Sequence, residues 1–169
     1  MADYLVRYEF PNGLYYDFRM NGNAKLAPHF KLYELANTKG KTTIPQFVFN
    51  EKVWNFLECV EEFRVWYNKS INPTSCYRQV QFNKNCGGDS LSLHLIGLAM
   101  DWKCVAADRT DSRRKEIENQ WKVITMKHGI IGGCNWYTGG FHFSAYENER
   151  FGYTNFVHRD YRGTSSDWK

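Results

Sequence analysis

Hydrophobic positions recur at helical spacing in two long segments. Between residues 51 and 69, Val53, Phe56, Leu57, Val60, Phe63 and Tyr67 fall on one stripe. Asn50 is placed to cap that helix and Glu51 sits favourably in its first turn. Between Asp111 and His128, Ile117, Trp121 and Ile124 line a second buried face, and Gly129 supplies a stop. The rest of the chain reads as strand and turn. "DYLVRYEFPNGLYYDFRM" (3–20) sets two β-rich runs around Pro-Asn-Gly and predicts an N-terminal hairpin. "FKLYELAN" (30–37) predicts a short helix. Residues 71–105 begin as a strand near Thr74, loosen into a polar loop around "NKNCGG", and return to strand near Leu98. The glycine-rich, aromatic stretch after Gly129 reads as successive strands. These elements predict an α+β fold, a small antiparallel sheet with helices on one side. With no repeat and no linker, the 169 residues fit one domain.

Composition narrows the function classes. Aromatics make up 17% of the chain, which argues for a packed core over disorder. The net charge of +4 favours an anionic polymer as partner. Its lysines and arginines are scattered, however, and the densest run, Arg113-Arg114-Lys115, reads as a solvated helix face. Nucleic acid is therefore not the expected partner, and Trp136, Tyr137, Phe141 and Phe143 read as core and site wall. Five cysteines without a CxxC pair exclude a zinc ribbon and argue against a disulfide framework. "MADYLVRYEF" lacks the pattern of a signal peptide and no apolar run approaches a membrane span. Cytoplasmic synthesis, no membrane insertion and a monomer are the expectations.

The segment "SLSLHLIGLAMDWK" (90–103) carries the candidate chemistry. On a strand from Gly97 to Asp101, Leu98, Met100 and Trp102 face one side and belong in the core. Gly97, Ala99 and Asp101 face the other, where small residues beside a carboxylate leave room for a ligand. Gly97 lets His94 fold back towards Asp101. A histidine and an aspartate suit zinc, and a catalytic zinc usually takes a third protein ligand. His158, in "NFVHRDYRG", and His142, in "GGFHFSAY", compete for that place.

"SLHLIGLAMD" resembles the S-x-H-x-x-G-x-A-x-D motif of the zinc D-alanyl-D-alanine carboxypeptidases and phage endolysins, whose core is shared with lysostaphin-type peptidases and the hedgehog signalling domain. "HFKLYELA" is similar to the first segment of the phage and bacterial branch. "INPTSCYR" resembles I-x-x-T-S-G-Y-R, with Cys76 in place of glycine, and "NKNCGGDSLSLH" resembles N-x-x-x-G-G-x-x-x-S-x-H. "FVHRDYRG" resembles F-V-H-x-D-x-R-G, followed by a tryptophan, here Trp168. The resemblance spans about residues 29–168 and leaves the N-terminal hairpin (1–25) outside.

The resemblance implies a hedgehog-like peptidase domain with Zn2+ held by His94, Asp101 and His158. It implies hydrolysis of a peptide bond in peptidoglycan stem peptides, and the lack of a signal-peptide pattern adds the expectation of a phage or prophage lysis enzyme that reaches the wall after release. Arg78 would face the substrate, steadying an oxyanion or gripping a terminal carboxylate. Ser92 would hydrogen-bond substrate or ligand. Where many relatives carry an acid three residues before the last histidine, this chain has Asn155, which takes no proton from water. Asp160 is the substitute base, with Glu147 and Glu149 behind it. The alternative is a non-catalytic relative that keeps zinc for wall binding or as a virion component.

Overall fold

The computed structural model describes residues 6–9, 15–18, 25–35, 50–137 and 139–146. Its centre is a four-stranded antiparallel sheet in the order β5-β6-β8-β7, built from β5 (Asn72–Ser75), β6 (Ala99–Lys103), β7 (Ile131–Tyr137) and β8 (Gly140–Tyr146). Two 17-residue helices, α2 (Glu51–Tyr67) and α4 (Asp111–Lys127), cover one face. The N-terminal part holds two strand pairs. In the first, β1 (Val6–Glu9) runs antiparallel to β2 (Tyr15–Phe18). In the second, β3 (Lys25–Ala27) pairs with β4 (Phe30–Lys31), which leads into the one-turn α1 (Leu32–Leu35). The chain is α+β, and the strand pair expected around Pro-Asn-Gly is present, although residues 10–14 themselves lie outside the described residues.

Local chemistry sets the helix ends. Asn50 Oδ1 accepts from the main-chain N–H of Lys52 at 3.0 Å and Val53 at 3.2 Å, satisfying two donors that α2 leaves open. Asn68 ends α2 in the left-handed region (φ 52°) and Gly129 follows α4 in the same conformation (φ 74°). The stripe on α2 is buried as the spacing predicts.

Strand alternation divides the sheet into two faces. Met100, Trp102, Phe141 and Phe143 point to the helices and are fully buried. Trp121 of α4 stacks on Phe143 with centroids 4.2 Å apart, and Phe63 of α2 meets Phe143 edge-on at 4.8 Å. Close packing of α4 on β7 depends on Gly132, where a Cβ would lie 2.2 Å from Thr125 Oγ1. The opposite face of the sheet carries Ala99, Asp101, His142 and Ser144.

Two expectations need correction. The segment read as a polar loop around "NKNCGG" contains a helix, α3 (Val80–Asn85). It has no apolar stripe to announce it, and Asn83 is its buried residue. The Asn83 amide donates to Asp89 O at 2.7 Å and occupies the space where Gly88 would carry a side chain. The strand expected from Gly97 starts at Ala99 instead. Gly97 (φ 74°) closes a 3-10 turn, Leu93–Ile96, and it is this turn that carries His94.

Candidate metal centre

Asp101 lies at the middle of the sheet face opposite the helices. In register it stands opposite Ser75 of β5 on one side and His142 of β8 on the other. Its Oδ1 is 2.5 Å from His142 Nδ1 and its Oδ2 is 3.4 Å from His94 Nε2. All three side chains are buried. Their ligand atoms fall within 4.8 Å of one another, so a single ion can reach all three.

His94 is delivered from above the sheet. Ser92 Oγ accepts the His94 main-chain N–H at 3.3 Å and caps the 3-10 turn. Ser92 is itself 2% exposed, so in this structure its hydroxyl positions the turn. The His94 ring places Nδ1 2.5 Å from the carbonyl oxygen of Cys76. A carbonyl only accepts, so Nδ1 carries a proton, and Nε2 is the ring nitrogen that faces Asp101. Metal-binding histidines are commonly oriented through such a contact on the second nitrogen.

Arg78 completes the group. Its Nη2 donates to Asp101 Oδ2 at 2.6 Å, its Nε donates to Ser75 Oγ at 2.7 Å, and its main-chain N–H donates to His94 O at 2.9 Å. Burial works to raise the Asp101 pKa, but the charges and hydrogen bonds of His94 and His142 outweigh it and hold the carboxyl well below the usual range. Tyr137 borders the site. Its hydroxyl donates to Trp102 O at 3.3 Å, and burial together with the Asp101 charge pushes its pKa up to about 12.

The donor set, two imidazoles and one carboxylate, is the nitrogen and oxygen chemistry that suits zinc, and the fixed tautomer of His94 makes the fit directional. The Peptidase M15 family model matches residues 28–138, which include Arg78, Ser92, His94 and Asp101. The chain belongs to the M15 peptidase family. No curated protein and no solved structure matches it. Membership makes the chain a metallopeptidase-type hydrolase by descent, from a family that is typically zinc-dependent.

Of the expected site residues, the structure brings together His94, Asp101 and Arg78, with Ser92 behind His94. His158 and Asp160 lie outside the described residues, as do Asn155, Glu147 and Glu149. Among the described residues the third donor is His142. The family match ends at residue 138, before both histidines, and does not choose between them. The sequence carried a signal for His142 in "FHFSA". Its large apolar residues alternate with a histidine and a serine, which puts His142 on the face opposite the core. Ser75 carried no such signal, because it faces the site through an irregularity in β5. Among the described residues no helix is long and apolar enough to cross a membrane.

Proposed function

We propose that this chain is a zinc-dependent peptidase that cleaves a peptide bond in peptidoglycan stem peptides, acting as a D-Ala-D-Ala carboxypeptidase or an L,D- or D,D-endopeptidase in phage or prophage lysis. The observation that carries the reading is the buried His94–Asp101–His142 group with Arg78 bonded to its carboxylate, inside a member of the M15 family. The motif order from "HFKLYELA" to "FVHRDYRG" supports the wall-directed branch and a hedgehog-like core spanning residues 29–168. The net charge of +4 favours approach to an anionic wall.

His94, Asp101 and His142 hold the metal in this reading, and His142 takes the place first expected of His158. Zinc, when bound, supplies a Lewis acid that polarises a carbonyl and makes water acidic enough to be a nucleophile near neutral pH. Asp101, kept ionised, contributes the negative charge of the site. Arg78 offers a fixed cationic donor to the oxygen on which charge develops, or to a terminal carboxylate. Asp160 is the proposed base. It would take the proton of the attacking water and pass it to the departing amine nitrogen.

Digestion of purified peptidoglycan with and without a chelator, read by mass spectrometry of released fragments, tests this reading. Chelator-sensitive fragments are expected, and their masses name the bond. Intact wall after incubation with protein carrying one zinc per chain points instead to the wall-binding relative.

A further inference from the structure

Strand β5 contains a bulge at the site. Pro73 stands opposite Trp102, but the next paired residue, Ser75, stands opposite Asp101, so Thr74 is an extra residue between them. In a regular strand Pro73 and Ser75 would share a face, and that face is the helix side occupied by Trp102. The extra residue turns Ser75 over to the face of Asp101. Thr74 Oγ1 donates to the carbonyl oxygen of Asp101 at 3.2 Å and ties the bulge to the ligand-bearing strand. Ser75 is 7% exposed, and its Oγ accepts from Arg78 Nε at 2.7 Å.

We infer that Ser75 is a positioning residue, turned onto the metal face by the Thr74 bulge to hold the plane of the Arg78 guanidinium. The inference rests on the peptidase reading for its catalytic consequence, though not for its geometry. Arg78 is gripped at two points, Asp101 through Nη2 and Ser75 through Nε. A cation in the site shares the charge of Asp101 and weakens the first grip, because the carboxylate then answers to two positive partners. The neutral hydroxyl of Ser75 is unaffected by that competition. It is the contact that keeps the remaining guanidinium N–H groups aimed in a fixed direction, which is what a preorganised oxyanion donor needs.

The test compares zinc-loaded wild type with Ser75→Ala, Ser75→Thr and Thr74→Val. Hydrogen exchange of the Arg78 Nε–H, assigned by its absence in Arg78→Lys, reads the grip directly. It is expected to be slow in wild type, about tenfold or more faster in Ser75→Ala, and slow again in Ser75→Thr. Thr74→Val, which removes the hydroxyl that ties the bulge to Asp101 O and also meets Tyr137, is expected to shift exchange in the same direction as Ser75→Ala. On a peptide that the wild type cuts, Ser75→Ala is expected to lower kcat about 10- to 100-fold with KM changed less than about threefold. Zinc affinity, from competition with a chromophoric chelator, is expected to move less than about threefold. Unchanged Nε–H exchange in Ser75→Ala overturns the inference, as does a parallel fall in zinc affinity, melting temperature and kcat. If the wild type cuts no peptide, the peptidase reading fails and the exchange measurement alone decides whether Ser75 positions Arg78.

Discussion

His94 and Cys76 meet through a ring nitrogen and a main-chain carbonyl, with His94 Nδ1 2.5 Å from Cys76 O. The contact fixes the tautomer that leaves Nε2 available to a metal, and it comes from the backbone, so the identity of residue 76 does not control it. Zinc content of purified variants follows from this geometry. His94→Ala, Asp101→Ala and His142→Ala are each expected to lose stoichiometric zinc. His158→Ala is expected to keep one zinc per chain, and Cys76→Ala likewise. Elemental analysis after dialysis checks all five. Zinc lost in His158→Ala and retained in His142→Ala would reverse the assignment of the third ligand.

Arg78→Lys tests the two-point grip from the arginine side. Lysine carries one ammonium and cannot bond Ser75 Oγ and Asp101 Oδ2 in the forked geometry that Nε and Nη2 provide. The variant is expected to keep its zinc and to lose about 100-fold or more in kcat on a stem peptide, the range found when one oxyanion donor is removed. Steady-state kinetics beside zinc analysis separates the two effects.

The cysteines offer a check on burial around the site. Burial first, and then the charge of Asp101, pushes the Cys76 thiol well above its ordinary range, and burial does the same to Cys134. Burial, with help from Glu62 and Glu58, pushes Cys59 up to about 12. Thiolate is the reactive form, so these three are protected twice, by access and by protonation. Cys86 is exposed on the turn after α3. Brief alkylation of the native protein at neutral pH, read by peptide mass spectrometry, is expected to label Cys86 before Cys59, Cys76 and Cys134. Early labelling of Cys76 would show that the floor of the metal centre opens in solution.

The long-period features were legible in the sequence and the irregular ones were not. Helices α2 and α4 follow from stripes of large apolar residues, and the two faces of β6 follow from the alternation around Met100 and Trp102. His94 and Asp101 come together because the chain bends at Gly97, as expected, although it does so in the left-handed conformation at the end of a 3-10 turn and outside the strand. Helix α3 was hidden because it has no apolar stripe, and its buried residue is Asn83, which bonds the turn that follows through Asp89 O. His142 was visible as a polar position on an alternating strand, but its partner depends on the pairing of β8 with β6, which is a long-range choice. Ser75 was invisible for a sharper reason, since a bulge reverses the face that strict alternation assigns.

Asp108 anchors the far end of the helical layer, away from the metal ligands, in the 3-10 turn Ala106–Asp108 that precedes α4. It accepts from Tyr67 Oη at 2.5 Å, from Lys69 Nζ at 2.9 Å and from Arg113 Nε at 3.3 Å, and it is 4% exposed. Burial works to raise its pKa, but the Tyr67 and Lys69 hydrogen bonds and the nearby positive charges prevail and lower it. A carboxyl with a folded-state pKa below its unfolded value stabilises the protein fully at pH values above the unfolded pKa. Below that value the unfolded chain binds more protons, and the contribution disappears as pH falls through the folded pKa. Asparagine keeps one acceptor oxygen but loses the charge that Lys69 and Arg113 share, and Lys69 is partly exposed and regains water, so the loss is below that of a fully buried pair. Asp108→Asn is therefore expected to cost about 2 kcal/mol at pH 7, and the gap between variant and wild type should narrow steadily below pH ~4. Urea unfolding of both proteins across that range measures it, and a gap that stays constant with pH would show that the charge of Asp108 does not contribute.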